Sequence, residues 1–111
     1  MAARYTYLWE FIVKPDQVDE FQRQYGPNGS WVALFRKATG YVDTILLRDR
    51  ANPLRFITID LWETADAQRS FKDTFAHEYA EVDARCAHLT AREVSLGDFD
   101  GQSSNSRLSG P

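Results

Sequence analysis

The chain has little cysteine, little histidine and no long apolar run. One of its 111 residues is cysteine, so an intramolecular disulfide framework is excluded and a cytoplasmic location fits best. Two histidines and a lone cysteine do not make the pattern of a metal site, and we expect no metal. No apolar run of about 18 residues and no signal-peptide core is present, so we expect a soluble protein without a membrane partner.

The chain also lacks an excess of basic residues. Thirteen lysines and arginines against sixteen aspartates and glutamates give a net charge of −3. Because nucleic-acid binding needs a basic stripe that neutralises phosphates, this balance argues against a nucleic-acid partner. The glycines between residues 25 and 30 do not form a phosphate-binding loop, and the nicotinamide and flavin fingerprints are absent, so we expect no cofactor.

Apolar and aromatic residues are plentiful. They make up 43% and 14% of the chain, which is ample for a hydrophobic core. A length of 111 residues is enough for one domain and too short for two. We therefore predict a single domain over residues 1–99, followed by a flexible tail, rich in glycine and serine, over residues 100–111.

Alternating side chains indicate four strands. Those strands are predicted at Arg4–Val13, Tyr41–Arg48, Pro53–Glu63 and Ala91–Phe99. Residues 49–53 carry the turn signals of a hairpin that joins the second strand to the third. In the first and third strands both faces carry large apolar groups, so we expect both faces of the sheet to be covered.

Helical spacing is found in three segments. Pro15 suits the first turn of a helix that Gly26-Pro27 ends, and Ser30 is the predicted N-cap of a second, short helix that ends at Gly40. A third, long helix is predicted from about Thr64 to Leu89. Its apolar stripe consists of Phe71, Phe75, Tyr79, Val82, Cys86 and Leu89.

The order of these elements predicts an α+β fold of the ferredoxin-like, split βαβ type. In that topology a four-stranded antiparallel sheet carries its helices on one face and leaves the other face bare. We expect the bare face to hold Tyr, Trp, Phe and Val side chains. Because exposed apolar patches of several hundred Å² are unusual in monomers, we predict a two-fold homodimer whose sheets face one another.

An ordered set of short segments resembles the antibiotic biosynthesis monooxygenase family of dimeric α/β barrels. The segments are Trp9-Glu10-Phe11, Pro15, Phe21, Tyr25-Gly26-Pro27-Asn28-Gly29-Ser30-Trp31, Gly40-Tyr41, Leu47-Arg48-Asp49 and Asp60-Leu61-Trp62-Glu63. The resemblance covers about residues 4–99 and implies that two sheets pair in a dimeric α/β barrel. It also implies relatives that are cofactor-independent oxygenases of polyketide pathways, haem-degrading enzymes, or members without an established activity.

The haem-degrading branch of that family is a poor match. It depends on an asparagine in the first strand, a tryptophan and a helix histidine. The first strand has no asparagine here and instead contains Leu8, Trp9 and Glu10. His77 falls on the helix face opposite the apolar stripe. His77 and His88 therefore look like a solvated edge, and we do not expect haem chemistry.

The aromatic residues predict a substrate pocket between the sheet and the helices. Trp62 lies at the carboxyl end of its strand, where the family places a pocket tryptophan, and it is also a catalytic candidate. The alternative is a large ring that only closes the core. The predicted pocket residues are Trp9, Trp31, Phe35, Tyr41, Trp62, Phe71 and Phe75.

Two acids are the candidates for a general base. Glu78 falls inside the apolar stripe of the long helix, where a carboxylate must be paired, protonated or facing a cavity. The alternative is a structural ion pair with Arg85. Glu10, like Asp60, lies in an expected central strand and lines either the pocket or the dimer seam.

These features favour a cofactor-independent monooxygenase that acts on an aromatic, polyphenolic or enolisable small molecule. The base would deprotonate the substrate in a dry aromatic pocket, and an arginine would stabilise the anion. Two alternatives stay open. One is a non-catalytic, small-molecule-binding or stress-related dimer, and the other is a cyclase or isomerase on the same scaffold.

Overall fold

The computed structural model describes residues 4–102, and this part of the chain folds into four strands and four α-helices. The strands are β1 (Arg4–Val13), β2 (Tyr41–Arg48), β3 (Arg55–Trp62) and β4 (Thr90–Gly101), and the helices are α1 (Val18–Tyr25), α2 (Ser30–Phe35), α3 (Ala65–Thr74) and α4 (Ala76–Cys86). Strand β4 thus runs two residues past the predicted end of the domain. Residues 103–111 of the predicted tail lie outside the described residues.

The strands form one antiparallel sheet in the order β2-β3-β1-β4. The two central strands pair over their full length, so that Tyr7 lies opposite Asp60 and Trp9 lies opposite Thr58. This order, with the helices in the connections between strands, is the predicted ferredoxin-like α+β arrangement. Among the described residues no helix is long and apolar enough to cross a membrane.

The two faces of the sheet differ in chemistry, and the prediction for the bare face was wrong for tyrosine and tryptophan. The rings of Trp9 and Phe11 lie on the face that the helices cover, and Phe11 contacts Tyr25 of α1 with ring centroids 4.9 Å apart. The bare face holds mainly aliphatic side chains, including Ile45 and Leu47 at 37% and 44% exposure, together with the ring of Phe99 at 50%. Alternation along β1 puts Trp9 and Phe11 on one face of the sheet, but it does not specify which face the helices cover.

A stacked group of aromatic rings fixes α1 on the centre of the sheet. Phe21 and Tyr25, one turn apart on α1, stack with centroids 4.3 Å apart. Phe21 also meets Phe56 of β3 at 4.9 Å, and both of these side chains are fully buried. Each buried ring of this size contributes about 1.5–3 kcal/mol, so this cluster is a major part of the folding energy.

The segment after β3 is not the single long helix that was predicted. Thr64 caps α3 by accepting a hydrogen bond from the Ala67 backbone N–H at 3.0 Å, but the helix breaks at Phe75, where φ is −109° and ψ is 28°. Helix α4 follows and ends in a 3₁₀ turn at Ala87–Leu89. A straight helix cannot follow a twisted sheet over this length, and the break lets both halves pack on it.

The first helix also begins later than predicted. Pro15 and Asp16 form a turn in which the Gln17 N–H donates to the Lys14 carbonyl at 2.9 Å, and α1 starts at Val18. Proline and an adjacent acid suit either a first helical turn or a β-turn, so the local signal is ambiguous.

Gly40 joins the end of the α2 region to β2. Its φ of +92° is a conformation that favours glycine, and a Cβ built on it would lie 2.6 Å from the Ala67 Cβ of α3. Its carbonyl accepts a hydrogen bond of 2.8 Å from the Glu63 N–H at the end of β3. This close approach brings α3 against the start of β2, directly beside Trp62.

Candidate functional site

A pocket of about 200 Å³ lies between the helix-covered face of the sheet and the helices. Six aromatic side chains from four elements form most of its wall, and the remaining lining consists of hydroxyl and carboxyl groups. The lining residues are Trp9, Phe11, Tyr25, Trp31, Phe35, Thr44, Thr58, Asp60, Tyr79, Asp83 and Glu93. An apolar cavity with a few convergent polar groups is the usual form of a small-molecule site.

A second, smaller pocket of about 30 Å³ shares part of this wall. It has Trp9, Phe35, Asp60 and Tyr79 in common with the larger pocket. It adds Tyr7, Trp62, Gln68, Phe71 and Lys72. Because its volume is that of about one water molecule, we treat it as a side chamber of the larger pocket.

Asp60 is the acid at the centre of the site. It lines both pockets, and it sits mid-sheet because β3 alternates Phe56, Thr58, Asp60 and Trp62 on the helix-covered face. Within residues 4–102 it forms no ion pair. A carboxyl group in this position is a candidate general base.

A short hydrogen-bond chain holds the Asp60 carboxyl. The Tyr41 hydroxyl donates to Thr44 Oγ1 at 2.7 Å, and the Thr44 hydroxyl donates to Asp60 Oδ1 at 2.9 Å. Burial raises the pKa of Asp60 from 3.8 to about 6, while the Thr44 hydroxyl lowers it. The result is a carboxylate that is ionised at neutral pH yet basic enough to take up a proton.

Two more carboxyl groups stand in the pocket wall. Burial, and then the nearby charge of Asp83, raise the pKa of Glu93. Burial and the same Asp83 charge raise the pKa of Tyr79 to about 12. In the described part of the chain no group of three or more His, Cys, Asp and Glu side chains is arranged to hold a metal ion, so these acids do not make a metal centre.

Trp31 carries an unusual polar group in the same wall. Its side chain is 7% exposed, and its indole Nε1 has no hydrogen-bond partner of good geometry among residues 4–102. Its polar neighbours are the Tyr25 hydroxyl and the buried Cys86 thiol, whose pKa is raised by burial. The ring meets Tyr79 edge-on at 5.0 Å, so the two rings form a corner of the pocket.

Most of the predicted pocket residues lie around the cavity. Trp9, Trp31 and Phe35 line the larger pocket, and Trp62 and Phe71 line the side chamber. The other two predicted residues stand behind these. Tyr41 contacts Phe35 and Trp62 with centroids 5.6 and 5.4 Å away, and Phe75 contacts Phe71 at 5.7 Å.

The structure places Glu10 away from the pocket. Glu10 pairs with Ile57 across the strands and therefore points to the bare face of the sheet. There its Oε2 accepts a hydrogen bond from Arg55 Nε at 2.7 Å, and Arg55 also reaches Asp49 at 3.2 Å. The alternation of a central strand gives two possible faces, and Glu10 occupies the one without the cavity.

Glu78 also stands outside the pocket. It is partly buried on α4, but it lines neither cavity, and no salt bridge joins it to Arg85 among the described residues. The break at Phe75 turns α4 relative to α3, so a helical wheel drawn through both misplaces residue 78. His77, at 85% side-chain exposure and 3.4 Å from Glu81, lies on the solvated edge that was expected.

Sequence reasoning named Asp60 as a residue of either the pocket or the dimer seam but not as the base, and it did not name Asp83 or Glu93. Asp60 shares a strand face with Phe56 and Trp62, and that alternation was the available signal for its position. Asp83 and Glu93 are exposed positions on α4 and β4. Nothing local distinguishes them from ordinary surface acids, because α4 and β4 come together only in the folded chain.

The sheet order and the helices define a small α+β domain of the ferredoxin-like type. The sequence profile of the family described as antibiotic biosynthesis monooxygenase matches residues 5–82. The chain belongs to this family. No curated protein sequence matches it.

Several solved structures share the fold. SnoaB from Streptomyces nogalater, a cofactor-independent oxygenase, is 22% identical, with 93% of this chain and 97% of that chain covered and a TM-score of 0.69. A protein from Bordetella bronchiseptica, described as a candidate antibiotic biosynthesis monooxygenase, is 17% identical, with 91% and 99% covered and a TM-score of 0.74. PA3566 from Pseudomonas aeruginosa is 16% identical, with 93% and 98% covered and a TM-score of 0.69.

Proposed function

We propose that the protein is a cofactor-independent monooxygenase of an aromatic or enolisable small molecule, and that Asp60 is its general base. The observation that carries this proposal is the Asp60 carboxyl, which faces an aromatic cavity with a pKa of about 6. Family membership supports the reaction class, and the likeness to SnoaB is consistent with it. Asp60 takes the role for which Glu10 and Glu78 were the candidates.

The chemistry needs only the substrate and dioxygen. Asp60 removes a proton from an activated CH₂ group, and the resulting carbanion gives its electrons to O₂ to form a peroxide. The protonated Asp60 returns its proton to the peroxide, which gives a hydroperoxide. Asp60 then removes the second proton from the same carbon, the electrons of that C–H bond form the carbonyl, and the O–O bond breaks. The distal oxygen leaves as hydroxide and becomes water with the proton that Asp60 has taken up.

The aromatic residues bind and shield the substrate in this scheme. Trp9, Trp31 and Phe35 provide flat apolar surfaces against which a fused-ring substrate packs, and they keep water from the carbanion. Trp62 lines the side chamber and is 2% exposed, so we assign it a role as a wall of the site.

The test is oxygen uptake with a panel of anthrone-like and quinol substrates. We expect turnover by the wild-type protein and a loss of about a hundredfold or more in kcat/KM for Asp60→Asn. Glu78→Gln is the matched control, because it makes the same acid-to-amide change outside both pockets. Equal rates in wild type and Asp60→Asn would refute the role of Asp60.

The same panel separates the other two functions. Turnover that persists without oxygen, with a product isomeric to the substrate or dehydrated, would mean a cyclase or isomerase. Saturable binding without turnover in either atmosphere would mean a non-catalytic binding or stress-related protein. Either result would overturn the monooxygenase proposal.

We also propose that the protein is a cytoplasmic homodimer that buries the bare face of the sheet. Ile45, Leu47 and Phe99 are 37%, 44% and 50% exposed in the single chain, an apolar surface that favours association. Members of the family are generally dimeric, which supports the same arrangement.

The proposed cytoplasmic location has separate support. The single free cysteine is consistent with a reducing compartment.

A further inference from the structure

The charge of the larger pocket is one-sided. Its lining includes three acids, Asp60, Asp83 and Glu93, and within residues 4–102 no lysine, arginine or histidine lines it. The side chamber contributes Lys72. The two cavities together therefore have two more acidic than basic groups, and the arginine that was expected to stabilise a substrate anion is not among them.

The excess of acidic groups in the pocket disfavours the deprotonation of a neutral substrate. Transfer of its proton to Asp60 moves the negative charge onto the substrate beside the two remaining carboxylates, Asp83 and Glu93, and that repulsion raises the cost of forming the anion. Burial raises the pKa of Glu93 and of Tyr79, and the nearby charge of Asp83 raises both further, which is consistent with the excess of acids in the lining. A substrate that already carries a positive charge removes the difficulty, since its deprotonated form is neutral overall.

The wall itself is suited to a cation. Trp31 and Tyr79 meet at 5.0 Å and 67°, so two ring surfaces converge on one corner, as in the aromatic cages that bind ammonium groups. Lys72 Nζ lies over the Tyr79 ring, 5.3 Å from its centroid, on the side of the side chamber, so a ligand ammonium would contact Tyr79 from the larger pocket. Asp83, on the same helix as Tyr79, adds a carboxylate beside this corner.

We infer that the ligand of this pocket is an aromatic or enolisable molecule that carries a protonated or quaternary amine. The ammonium group binds at the corner of Trp31 and Tyr79, with Asp83 and Glu93 as counter-charges, while Asp60 faces the reacting carbon or hydroxyl. As a statement about the substrate, this inference rests on the proposed function. As a statement about binding, it rests on the pocket alone.

The experiment compares three probes of similar size and different charge. These are 2-phenylethyltrimethylammonium, 2-phenylethanol and 3-phenylpropanoate, with binding measured by calorimetry and by the fluorescence of the tryptophans in the wall. We expect the ammonium compound to bind about tenfold more tightly than the alcohol, and the carboxylate to bind most weakly. High salt should reduce the preference, because charge attraction is part of it.

A pair of double variants tests whether the pocket acids cause the preference. Asp83→Asn with Glu93→Gln should reduce it to about threefold or less and leave the alcohol Kd unchanged. Glu78→Gln with Glu81→Gln changes the net charge equally but lies outside both cavities, and it should keep the preference. If the alcohol binds as tightly as the ammonium compound, or if both double variants lose the preference equally, the inference is wrong.

These results are independent of turnover, because the three probes are not substrates. A preference for the ammonium compound without oxygen uptake from any panel member would leave this inference intact and defeat the monooxygenase proposal. Oxygen uptake with neutral anthrones or quinols, together with no charge preference among the probes, would support the monooxygenase proposal and defeat this inference.

Discussion

Asp60 is held between two opposing influences. Burial among aromatic rings raises its carboxyl pKa, and the Thr44 hydroxyl, which is itself hydrogen-bonded by Tyr41, lowers it. The three residues come from two neighbouring strands, so the balance depends on the register of β2 and β3, in which Thr44 lies directly opposite Asp60. A one-residue slip would remove the hydrogen bond and turn the carboxyl to the other face.

Replacement of Thr44 by valine should raise the pKa of Asp60 further. Valine has nearly the same shape as threonine but cannot donate a hydrogen bond to the carboxylate, so the ionised form loses stabilisation. Carbon-13 NMR titration of the Asp60 carboxyl measures the change. Thr44→Ser keeps the hydroxyl and should titrate like the wild type. An unchanged pKa in Thr44→Val would show that burial alone sets its value.

Asp60 should also make the folded state less stable as the pH rises. Its pKa is about 6 in the native chain and 3.8 ordinarily, so between these values the native state binds more protons than the unfolded state. The free energy of unfolding therefore falls from about pH 4 to about pH 6 and then levels off. Asp60→Asn lacks this fall and should be more stable above pH 7, by at most about 3 kcal/mol.

Urea unfolding of wild type and Asp60→Asn at several pH values measures this difference, because the contributions of the other titrating groups cancel. A constant difference from pH 4 to pH 8 would contradict the assigned pKa.

The position of a single residue relative to the pocket was predictable where it depends on alternation within one segment. Trp9 and Trp62 were expected in the pocket wall, and they line the cavities. Asp60, the proposed base, was not selected for that role, because only its surroundings distinguish it from other acids. Those surroundings are Thr44 from another strand and Tyr79 from a helix that follows, and sequence proximity does not show either contact.

At the scale of the elements, the strands were easier to predict than the helices. The two-residue alternation of side chains predicted the first residues of β1 and β2 correctly, and it predicted the first residue of β4 to within one position. The break at Phe75 had no signal from glycine or proline in the sequence. It arises where the helical segment must follow the twist of the sheet, which is a property of the assembled layers.

Gly40 and Gly97 provide a test of how closely α3 approaches β2. Both have positive φ, but an added Cβ at Gly40 would meet Ala67 at 2.6 Å, whereas at Gly97 its closest contact is an ordinary 3.7 Å. We expect Gly40→Ala to cost about 2–4 kcal/mol from strain and overlap, and Gly97→Ala about 1–2 kcal/mol from strain alone. Thermal and urea unfolding measure both. Equal losses would show that α3 moves away freely.

At the scale of the whole molecule, we expect the bare face of the sheet to determine the oligomeric state. We expect the wild-type protein to be a dimer at low micromolar concentration, and Leu47→Asp to be monomeric, because the dimer would have to bury an unpaired carboxylate. Light scattering with size-exclusion chromatography measures both. Ala84→Asp, which adds the same charge on the exposed side of α4, should remain a dimer. A monomeric wild type would refute the proposed interface.

The overall architecture was predictable because element order and family resemblance both specify it. The ferredoxin-like topology followed from the order of strands and helices, and the family from segments spread over most of the chain. The chemistry inside the cavity was less accessible to sequence reasoning. Its charge depends on which surface acids of α4 and β4 turn inward, and only the packed helices determine that.

The order of the sheet has a consequence for aggregation. Strands β2 and β4 each pair on one side only within the described chain, which leaves two lines of backbone N–H and C=O groups open to a neighbouring molecule. Along β4, Arg92, Asp98 and Asp100 place charges on that edge, and the irregular pairing beside Gly97 interrupts its hydrogen-bond ladder. Such an edge resists the strand-by-strand growth that leads to fibrils.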